Sequence, residues 1–326
     1  MNRKQIKRNQ HYVPQSYLKR FTIEGEKSLL WNYDKTRKDF MRTPSSINRV
    51  CCEDYYYYQI DEAGEVNHTK LEDEISNIER IGNNLLDKII NMHAMPYVYL
   101  SPEEKGQLAF YISLMLTRGP GFRDAINHMH GDLAAMSLPM SYGKGMLDDA
   151  PEIIKKLVDE KGLFSVVQPH VHSFVSLPFM IQGANEIAKS LLSKEWFLLL
   201  SSSDSYFITS DNPVSFFSKT GLIDSMGPAH KDSVVIFPVS PRLCLVIEMD
   251  KSVNLEINVL QTSAVHQMEI NRLVFRGAMN NVFSFRRTEW IKRFGLDLVG
   301  GSQRVIFEGV RKENFQVIKN PYRKLK

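Results

Sequence analysis

The chain has 326 residues, of which 43% are hydrophobic, 24% are charged and 10% are aromatic, and its formal net charge is +4. These proportions are ordinary for a globular protein, and they exclude the collagen-like, disulfide-scaffold and disordered classes. At roughly 150 residues per domain, the length allows about two domains or one large domain with insertions.

The start of the chain, residues 1–10, is basic, but polar His11 and Tyr12 follow it instead of an apolar stretch, so we expect no signal peptide. The longest apolar runs, at 110–116 and 234–239, are much shorter than the roughly 18 residues that a membrane-spanning helix needs. The 3 cysteines form no CxxC pair, which argues against a disulfide framework and a zinc ribbon. We therefore expect a soluble, cytoplasmic protein that does not associate with membranes.

The small net charge hides two basic ends around an acidic centre. Residues 1–50 carry 12 Lys and Arg against 4 Asp and Glu, and residues 286–326 carry 11 against 4. The part between them, 51–285, carries 18 against 29. The basic ends either bind a polyanion such as nucleic acid or pair with the acidic centre inside the fold. The second interpretation is favoured, because charge runs are usually solvated or neutralised within a protein.

Residues 1–66 are predicted to be an N-terminal segment with short strands. The alternation at 29–34 predicts one strand, and the tyrosines at 55–58, which have high strand propensity, predict a second strand over 55–60. Aromatic and basic residues interleave at 10–21. That pattern is typical either of a segment buried on the core or of a strip that stacks on bases and binds phosphates.

Residues 67–193 are predicted to be a helical block. Apolar residues recur with helical spacing over 71–92, and Glu79 lies on a row of this helix that becomes apolar, at the expected margin of the core. A Ser-Pro pair at 101–102 is typical of a helix start, and the apolar helix that follows ends at Arg118, before Gly-Pro-Gly. Further helices are predicted at 122–136, 150–161 and 174–193, with a loop at 138–149.

Residues 194–326 are predicted to contain an antiparallel sheet, a late helix at 260–276 and a basic tail. The link at 240–242 is too short for a crossover, so the two strands that it joins should be antiparallel. The fold class predicted for the whole chain is α+β: a helical middle packed on a mainly antiparallel sheet, in a single large globular unit of residues 1–326. The strands are expected at 196–201, 206–209, 234–239, 243–248 and 282–285.

The sequence lacks the GxxxxGK[ST], GxGxxG, HExxH and GxSxG motifs. This argues against a P-loop NTPase, a Rossmann dehydrogenase, a zincin and an α/β-hydrolase. The pairs His128/His130 and His170/His172 lie in a predicted helix and at a predicted helix start. Because i, i+2 side chains diverge on a helix, we expect no metal at either pair.

The sequence Ser-Asp-Asn-Pro at 210–213 directly follows a predicted strand. Pro213 restricts Asn212 to extended backbone and so ends the strand. Asp211 and Asn212 either form an Asx-turn or present a carboxylate and an amide to a cleft at the strand end. The sequence also allows two roles for Arg118, which is either a cation placed favourably at a helix C-terminus or a clamp for an anion.

Taken together, these segments resemble an uncharacterised family of bacterial proteins, number 4238 in the domain-of-unknown-function series. One departure is Phe-Pro-Val at 237–239, where the family pattern is expected to read Phe-Pro-Leu. The resemblance implies no particular activity. It is carried by the QHYVPxxYLxxF opening (10–21), the WxYD strand (31–34), the glutamate-bearing helix (72–80), the apolar helix (110–118), the FITSDNPV strand end (207–214), the FPxSPRLxL hairpin (237–245) and the late helix with Ile270 and Asn271.

The resemblance marks six polar residues as part of the family pattern, and they are the candidate site residues. An active site uses such groups: an imidazole as general base or metal ligand, carboxylates as metal ligands or acid–base partners, a guanidinium that holds a phosphate or carboxylate, and amides that orient a substrate. The same groups also suit a buried polar network that fixes packing. The six residues are His11, Glu79, Arg118, Asp211, Asn212 and Asn271.

From this set and the basic ends, we predict an intracellular hydrolase that acts on a phosphate-containing substrate, with nucleic acid as the favoured partner. The sequence does not identify a cofactor, and a divalent metal such as Mg²⁺ is compatible with the carboxylates. The alternative is a non-catalytic protein that binds nucleic acid or another partner and whose polar cluster is structural. A sugar- or nucleotide-modifying enzyme is a third hypothesis. The sequence does not define the oligomeric state.

Overall fold

A six-stranded sheet forms the centre of the computed structural model, which describes residues 8–60, 66–67, 70–202, 204–218, 227–250, 254–297 and 315–318. The helices of this part are α1 (Gln15–Leu18), α2 (Lys70–Met92), α3 (Pro102–Thr117), α4 (Pro120–Gly143), α5 (Glu152–Lys161), α6 (Leu163–Val166), α7 (Ser176–Leu192), α8 (Ala264–Gly277) and α9 (Glu289–Asp297), with 3₁₀ turns at Lys19–Phe21 and Ser173–Val175.

The strands are short, and several come from the first sixty residues. They are β1 (Asn9–His11), β2 (Leu29–Asp34), β3 (Asp39–Phe40), β4 (Ser45–Ser46), β5 (Cys52–Asp54), β6 (Gln59–Ile60), β7 (Val66–Asn67), β8 (Tyr97–Tyr99), β9 (His170–His172), β10 (Lys194–Leu200), β11 (Thr209–Ser210), β12 (Ser215–Ser218), β13 (Ser233–Ser240), β14 (Leu243–Asp250), β15 (Glu256–Gln261), β16 (Asn281–Ser284) and β17 (Gln316–Ile318).

The central sheet has the strand order β12-β13-β14-β10-β15-β8, and its neighbours are antiparallel except for β10 and β15. A second antiparallel sheet has the order β11-β16-β2-β3, and β4 also pairs with β2. One core cluster contains residues from Val13 to Phe283, so segments from both ends of the described chain share it. The predicted α+β class, in a single globular unit, is confirmed.

The central sheet is buried on both faces, which explains its apolar runs. In β13, Val235 and Phe237 belong to the cluster that includes the helices α2, α3 and α7, whereas Ile236 belongs to the cluster around α8. Because successive side chains of a strand point to opposite faces, a sheet that is covered on both sides needs continuous apolar sequence. The helical block therefore covers one face of the sheet, and the late helix covers the other.

The N-terminal segment is part of this core. Tyr17, Leu18 and Phe21 are completely buried, and the ring of Tyr17 stacks on Phe237 at 5.3 Å between centroids. The Tyr17 hydroxyl donates to the Pro238 carbonyl at 2.7 Å and lies 2.7 Å from the Thr209 hydroxyl oxygen. Of the two sequence interpretations of residues 10–21, the structure shows the buried segment.

Local sequence signals placed several elements correctly. The strand predicted at 29–34 is β2, and the strands on either side of the 240–242 link form the antiparallel pair β13–β14. Ser101 caps α3 through a complete capping box: its hydroxyl accepts from the Glu104 N–H at 3.2 Å, and the Glu104 carboxylate accepts from the Ser101 N–H at 2.9 Å. Such caps depend only on neighbouring residues, so the sequence reveals them.

The prediction of a strand over 55–60 is wrong for the four tyrosines at 55–58. Tyr55 adopts a left-handed conformation with φ of 52°, and the chain turns there so that only Gln59–Ile60 pairs as a strand. The turn buries both Tyr56 and Tyr57, which alternating strand geometry would place on opposite faces. Burial of neighbouring rings therefore overrides strand propensity in this segment.

The predicted loop at 138–149 is wrong at its start, because α4 continues through Pro139 to Gly143. Ala135 and Leu138 are buried beneath this turn, and their packing compensates for the backbone hydrogen bond that proline cannot donate. The helix predicted at 260–276 begins later, at Ala264, where Ser263 is its N-cap. The preceding residues form β15, whose parallel pairing with β10 is non-local.

The two histidine pairs differ in their geometry. His128 and His130 lie on α4 as predicted, whereas His170 and His172 lie on the strand β9 instead of at a helix start. Within the described residues, no group of three or more His, Cys, Asp or Glu side chains could hold a metal ion. In the same residues, no helix is both long enough and apolar enough to span a membrane. Helix α9 was not predicted, and most of the predicted basic tail lies outside the described residues.

Candidate functional site

An ion pair joins two of the six predicted site residues. Arg118 follows the last turn of α3, and its Nη1 lies 2.6 Å from Oε1 of Glu79, in the middle of α2. The Arg118 side chain is 1% exposed, whereas that of Glu79 is 23% exposed. The buried guanidinium therefore fixes a carboxylate that reaches solvent on its other side. A hydrogen bond between a charged donor and a charged acceptor at this distance is a strong one.

His11, the last residue of β1, lies close enough to Glu79 and Arg118 for both to influence its pKa. Burial is the main cause that lowers the pKa of His11, and the Arg118 charge acts in the same direction. Hydrogen bonding to the backbone of Ile47 and the Glu79 charge oppose the shift. A histidine with a lowered pKa is neutral at pH 7 and is able to accept a proton.

Tyr57 is hydrogen-bonded to the N-terminal segment and lies within electrostatic reach of Glu79 and Arg118. Its hydroxyl donates to the His11 carbonyl at 3.1 Å, and its backbone N–H donates to the Gln10 side chain at 2.7 Å. Burial raises the pKa of Tyr57, Arg118 acts to lower it, and Glu79 adds to the rise. The tyrosine therefore stays protonated as a hydrogen-bond donor. Tyr57 is not among the site residues predicted from the sequence, because a turn residue in a tyrosine run carries no local signal of this contact.

Close packing of α2 on α3 holds the ion pair in place. A Cβ at Gly82 would lie 2.3 Å from Cγ of Tyr111, so this glycine lets the ring approach the α2 backbone. Tyr111 lies about two helical turns before Arg118. Burial is the larger cause and raises the pKa of Tyr111, whereas the Arg118 charge acts to lower it. Gly82, which interrupts the apolar pattern of α2, is thus required by packing.

The N-terminal segment is bonded to α2 beside this group. The Asn83 amide donates to the Ser16 hydroxyl at 2.6 Å, and Arg20 Nη1 donates to Asn83 Oδ1 at 2.7 Å. Arg20 also pairs with Asp87 at 2.7 Å. Asn83 is four residues after Glu79, on the same helical row, and this spacing is the one sequence signal that could have identified it.

Asp211 lies in a different environment from the ion pair. Its carboxylate accepts from the backbone N–H groups of Met279, Asn280 and Asn281, each at 2.8 Å, and from the Asn281 amide at 3.3 Å. Burial raises the pKa of Asp211, and these hydrogen bonds oppose the shift. Lys35 Nζ donates to two backbone carbonyls beside the same turn, at 3.1 and 2.6 Å. Asp211 thus fixes the turn between α8 and β16.

Asn212 and Asn271 also bind backbone groups. The Asn212 amide donates to the Gly277 carbonyl at 3.0 Å. The Asn271 side chain accepts from the Ile208 N–H at 3.0 Å and donates to the Tyr206 carbonyl at 2.8 Å. This explains why the strand predicted at 206–209 is reduced to β11, since α8 takes the place of a neighbouring strand.

The six predicted residues therefore form two groups. His11, Glu79 and Arg118 come together at the junction of the N-terminal segment with α2 and α3. Asp211, Asn212 and Asn271 hold β11, α8 and β16 together through backbone hydrogen bonds. The first group keeps an accessible carboxylate, whereas the second uses its polar atoms within the fold.

Ion pairs connect the basic start of the chain with its acidic centre. Arg8 pairs with Asp54 at 2.7 Å, and Arg20 pairs with Asp87 at the same distance. Lys292, in the basic C-terminal block, pairs at 2.9 Å with Asp39 of the other basic block, so this pair does not involve the acidic centre. Among the described residues, the pairs of Arg8 and Arg20 neutralise part of the charge asymmetry within the fold, in agreement with the favoured interpretation.

The fold and the site define an α+β protein in which a buried arginine pairs with a partly exposed glutamate, within electrostatic reach of a histidine of the N-terminal segment. Over residues 9–288, the chain matches the family described as "Protein of unknown function (DUF4238)", and it belongs to this family. The resemblance found in the sequence is confirmed, and the match contains all six residues that it marked. No curated protein and no solved structure matches the chain.

Proposed function

We propose that the protein is a hydrolase that cleaves phosphate esters, with nucleic acid as its substrate class, and that His11 and Glu79 are its acid–base pair. One observation carries the proposal: a histidine with a lowered pKa lies within electrostatic reach of a carboxylate that a buried arginine holds in place. A neutral imidazole next to an oriented carboxylate is the usual arrangement for removing a proton from a nucleophilic water.

Each residue then has a definite role. His11 accepts a proton from the water that attacks phosphorus, the P–O bond to the leaving group breaks, and the leaving oxygen takes a proton from solvent while His11 returns its proton to solvent. The Glu79 carboxylate stabilises the positive charge that develops on the His11 ring. Arg118 acts through Glu79, because its guanidinium is almost completely buried and bonded to that carboxylate. Arg118 is therefore a positioning residue in this proposal and not the phosphate clamp that the sequence suggested as one alternative.

The choice of substrate class rests on the charge distribution of the chain. The basic blocks at 1–50 and 286–326 would attract a polyanion, and the described ion pairs use only some of their cations. A divalent metal such as Mg²⁺ would reduce the repulsion between an anionic substrate and the Glu79 carboxylate. Metal dependence is therefore part of the test.

The experiment is a cleavage assay on the purified chain. Single- and double-stranded DNA and RNA are incubated with and without Mg²⁺ or Mn²⁺, and the products are separated on gels. We expect His11→Ala and Glu79→Gln to reduce the rate by about 100-fold or more, the usual range for loss of a general base. The matched controls are the exposed His170→Ala and Glu74→Gln, which should retain the rate.

The pH profile gives a second readout. The rate should rise with pH through the lowered pKa of His11 and then level off, because only the neutral imidazole accepts a proton. A wild-type chain that cleaves none of these substrates, or one whose rate is the same after His11→Ala, would contradict the proposal.

A non-catalytic, nucleic-acid-binding protein is the second candidate. It is favoured by the observation that Asp211, Asn212 and Asn271 use their side chains on the protein backbone. This candidate predicts salt-dependent binding without cleavage. Binding to a nucleic acid releases counterions from its phosphates, so added salt lowers the binding constant. Fluorescence anisotropy with labelled oligonucleotides at two salt concentrations distinguishes it from the hydrolase.

A further inference from the structure

A cleft that His11, Glu79 and Arg118 do not line lies where strand ends and turns meet. Its volume is about 820 Å³. It is bordered by Thr22 and Glu24, by the C-terminal end of α2, by the loop before β11, by the β13–β14 turn and by the residues after β16. Pockets for small ligands typically measure about 300–1,000 Å³, so a nucleotide fits this space.

Two arginines line the cleft. Arg242 belongs to the β13–β14 turn, and its Nη1 donates to the Ser202 carbonyl at 2.9 Å, which orients the guanidinium against the neighbouring loop. Arg286 is exposed, and its guanidinium carbon lies 4.9 Å from the centroid of the Phe285 ring. Planar guanidinium groups match the oxygen geometry of a phosphate better than lysine does. Ser205 and Ser240 also line the cleft.

Aromatic rings form one wall beside the arginines. Tyr206 packs on Phe285 at 4.8 Å and on Trp290 at 5.5 Å between ring centroids. The Tyr206 hydroxyl lies 2.8 Å from the Thr288 hydroxyl oxygen, so this ring is held in place from both ends. Bases stack on aromatic rings and on arginine planes, and the Phe285–Arg286 pair offers both surfaces.

Two carboxylates, Glu24 and Asp204, also border the cleft and are exposed. They balance the formal charges of Arg242 and Arg286, so the cleft does not favour a bare anion. Carboxylates accept hydrogen bonds from amino and hydroxyl groups, which the base and the ribose of a nucleotide carry. The lining thus combines phosphate donors, a stacking surface and acceptors for sugar or base.

We propose that this cleft binds a nucleoside phosphate, with the phosphate on Arg242 and Arg286 and the base beside Phe285. The inference goes beyond the proposed function, because binding in the cleft requires no cleavage at His11 and Glu79. A free nucleotide and the phosphorylated end of a nucleic-acid strand share this chemistry. The experiment therefore includes both sources.

Isothermal titration of the full chain with AMP, GMP, CMP and UMP tests the proposal, with adenosine and inorganic phosphate as partial ligands. At least one monophosphate should bind at least about 10-fold more tightly than adenosine and phosphate do, since each lacks one set of contacts. Arg286→Gln should weaken binding by about 10-fold, the usual effect of one lost charge-assisted hydrogen bond. Arg37→Gln, at an exposed arginine outside the cleft, is the matched control.

Arg242→Gln should have at least as large an effect, and thermal melting shows whether that variant still folds. If it does not, the exposed Arg286 decides the test alone. A 5′-phosphorylated oligonucleotide that binds more tightly than the free monophosphates identifies a strand end as the ligand, and weaker binding identifies a free nucleotide. Absence of monophosphate binding at about 1 mM, equal affinity for phosphate alone, or unchanged affinity after Arg286→Gln would overturn the proposal.

Discussion

The two groups of polar residues that the sequence marks differ in what their side chains bind. Glu79 and Arg118 bind each other, part of the carboxylate is open to solvent, and His11 is near enough for both charges to affect its pKa. Asp211 and Asn271 are buried and bind backbone N–H and carbonyl groups of neighbouring elements. A side chain whose acceptors are occupied by the backbone holds a fold together, whereas an oriented and accessible one is available for chemistry.

This difference shows that membership of a family pattern does not by itself define a site. Both groups are polar and lie within the matched part of the chain, 9–288, yet only one keeps a carboxylate that is oriented by an ion pair and partly exposed. Substitutions of Asp211 and Asn271 should therefore reduce stability, and so should breaking the Glu79–Arg118 pair, whereas substitution of His11 should reduce activity in a chain that still folds.

The largest effect on stability is expected at Asp211. Asp211→Ala removes the buried carboxylate that accepts from three part-buried backbone N–H groups, and each group left without its acceptor costs about 1–3 kcal/mol. We expect the free energy of unfolding to fall by about 4 kcal/mol, measured by urea denaturation followed by circular dichroism. Asp159→Ala, at an exposed position on α5, is the control. A loss below about 0.5 kcal/mol would show that Asp211 is not structural.

A somewhat smaller effect is expected when the ion pair is broken. Glu79→Leu leaves the Arg118 charge buried without its partner, which should lower the free energy of unfolding by about 3 kcal/mol. The double variant Glu79→Leu/Arg118→Met removes both charges and should recover most of this loss. If the double variant is less stable than the single one, the pair does not behave as a coupled unit.

Substitution of Asn271 by alanine should lower the free energy of unfolding by about 2 kcal/mol. Asn271→Ala removes the acceptor of the Ile208 N–H and the donor to the Tyr206 carbonyl, both buried. Because Tyr206 also lines the proposed nucleotide cleft, the variant should weaken monophosphate binding as well as lower stability. Urea denaturation and titration of one preparation measure both quantities, and a fully stable variant would contradict the structural role.

The parts of the fold that the sequence predicts correctly depend on neighbouring residues. The Ser101 capping box, the alternation of β2 and the tight turn between β13 and β14 are all local. The elements that sequence reasoning missed depend on distant partners: β15 exists because it pairs in parallel with β10, and β11 is short because Asn271 occupies its edge. Such contacts have no signature in a single sequence.

The candidate site shows the same limit. Glu79 was expected at the margin of the core from its place on a helical row, and it lies there. The sequence allows two roles for Arg118. In the structure it pairs with Glu79, because α2 packs closely on α3 at Gly82. Tyr57 was missed because a left-handed turn at Tyr55, unexpected in a run of strand-forming residues, directs it to the His11 carbonyl.

The smallest effect concerns the dependence of stability on pH. The pKa of His11 is lowered in the folded chain, mainly by burial, so below about pH 6.5 the unfolded chain binds a proton that the folded chain does not. Stability should therefore fall as the pH drops from about 7.5 to about 5.5, and His11→Gln should reduce that fall.

Urea denaturation of both chains at the two pH values measures the difference, and His170→Gln is the exposed control. Equal pH dependence of the wild type and His11→Gln would mean that His11 is not held neutral by the fold. In that case the proposed general base would lose its physical basis, even if the ion pair of Glu79 and Arg118 were intact. A reduced dependence would instead show that the fold keeps this imidazole unprotonated beside a fixed carboxylate, which is the condition that the proposed hydrolysis requires.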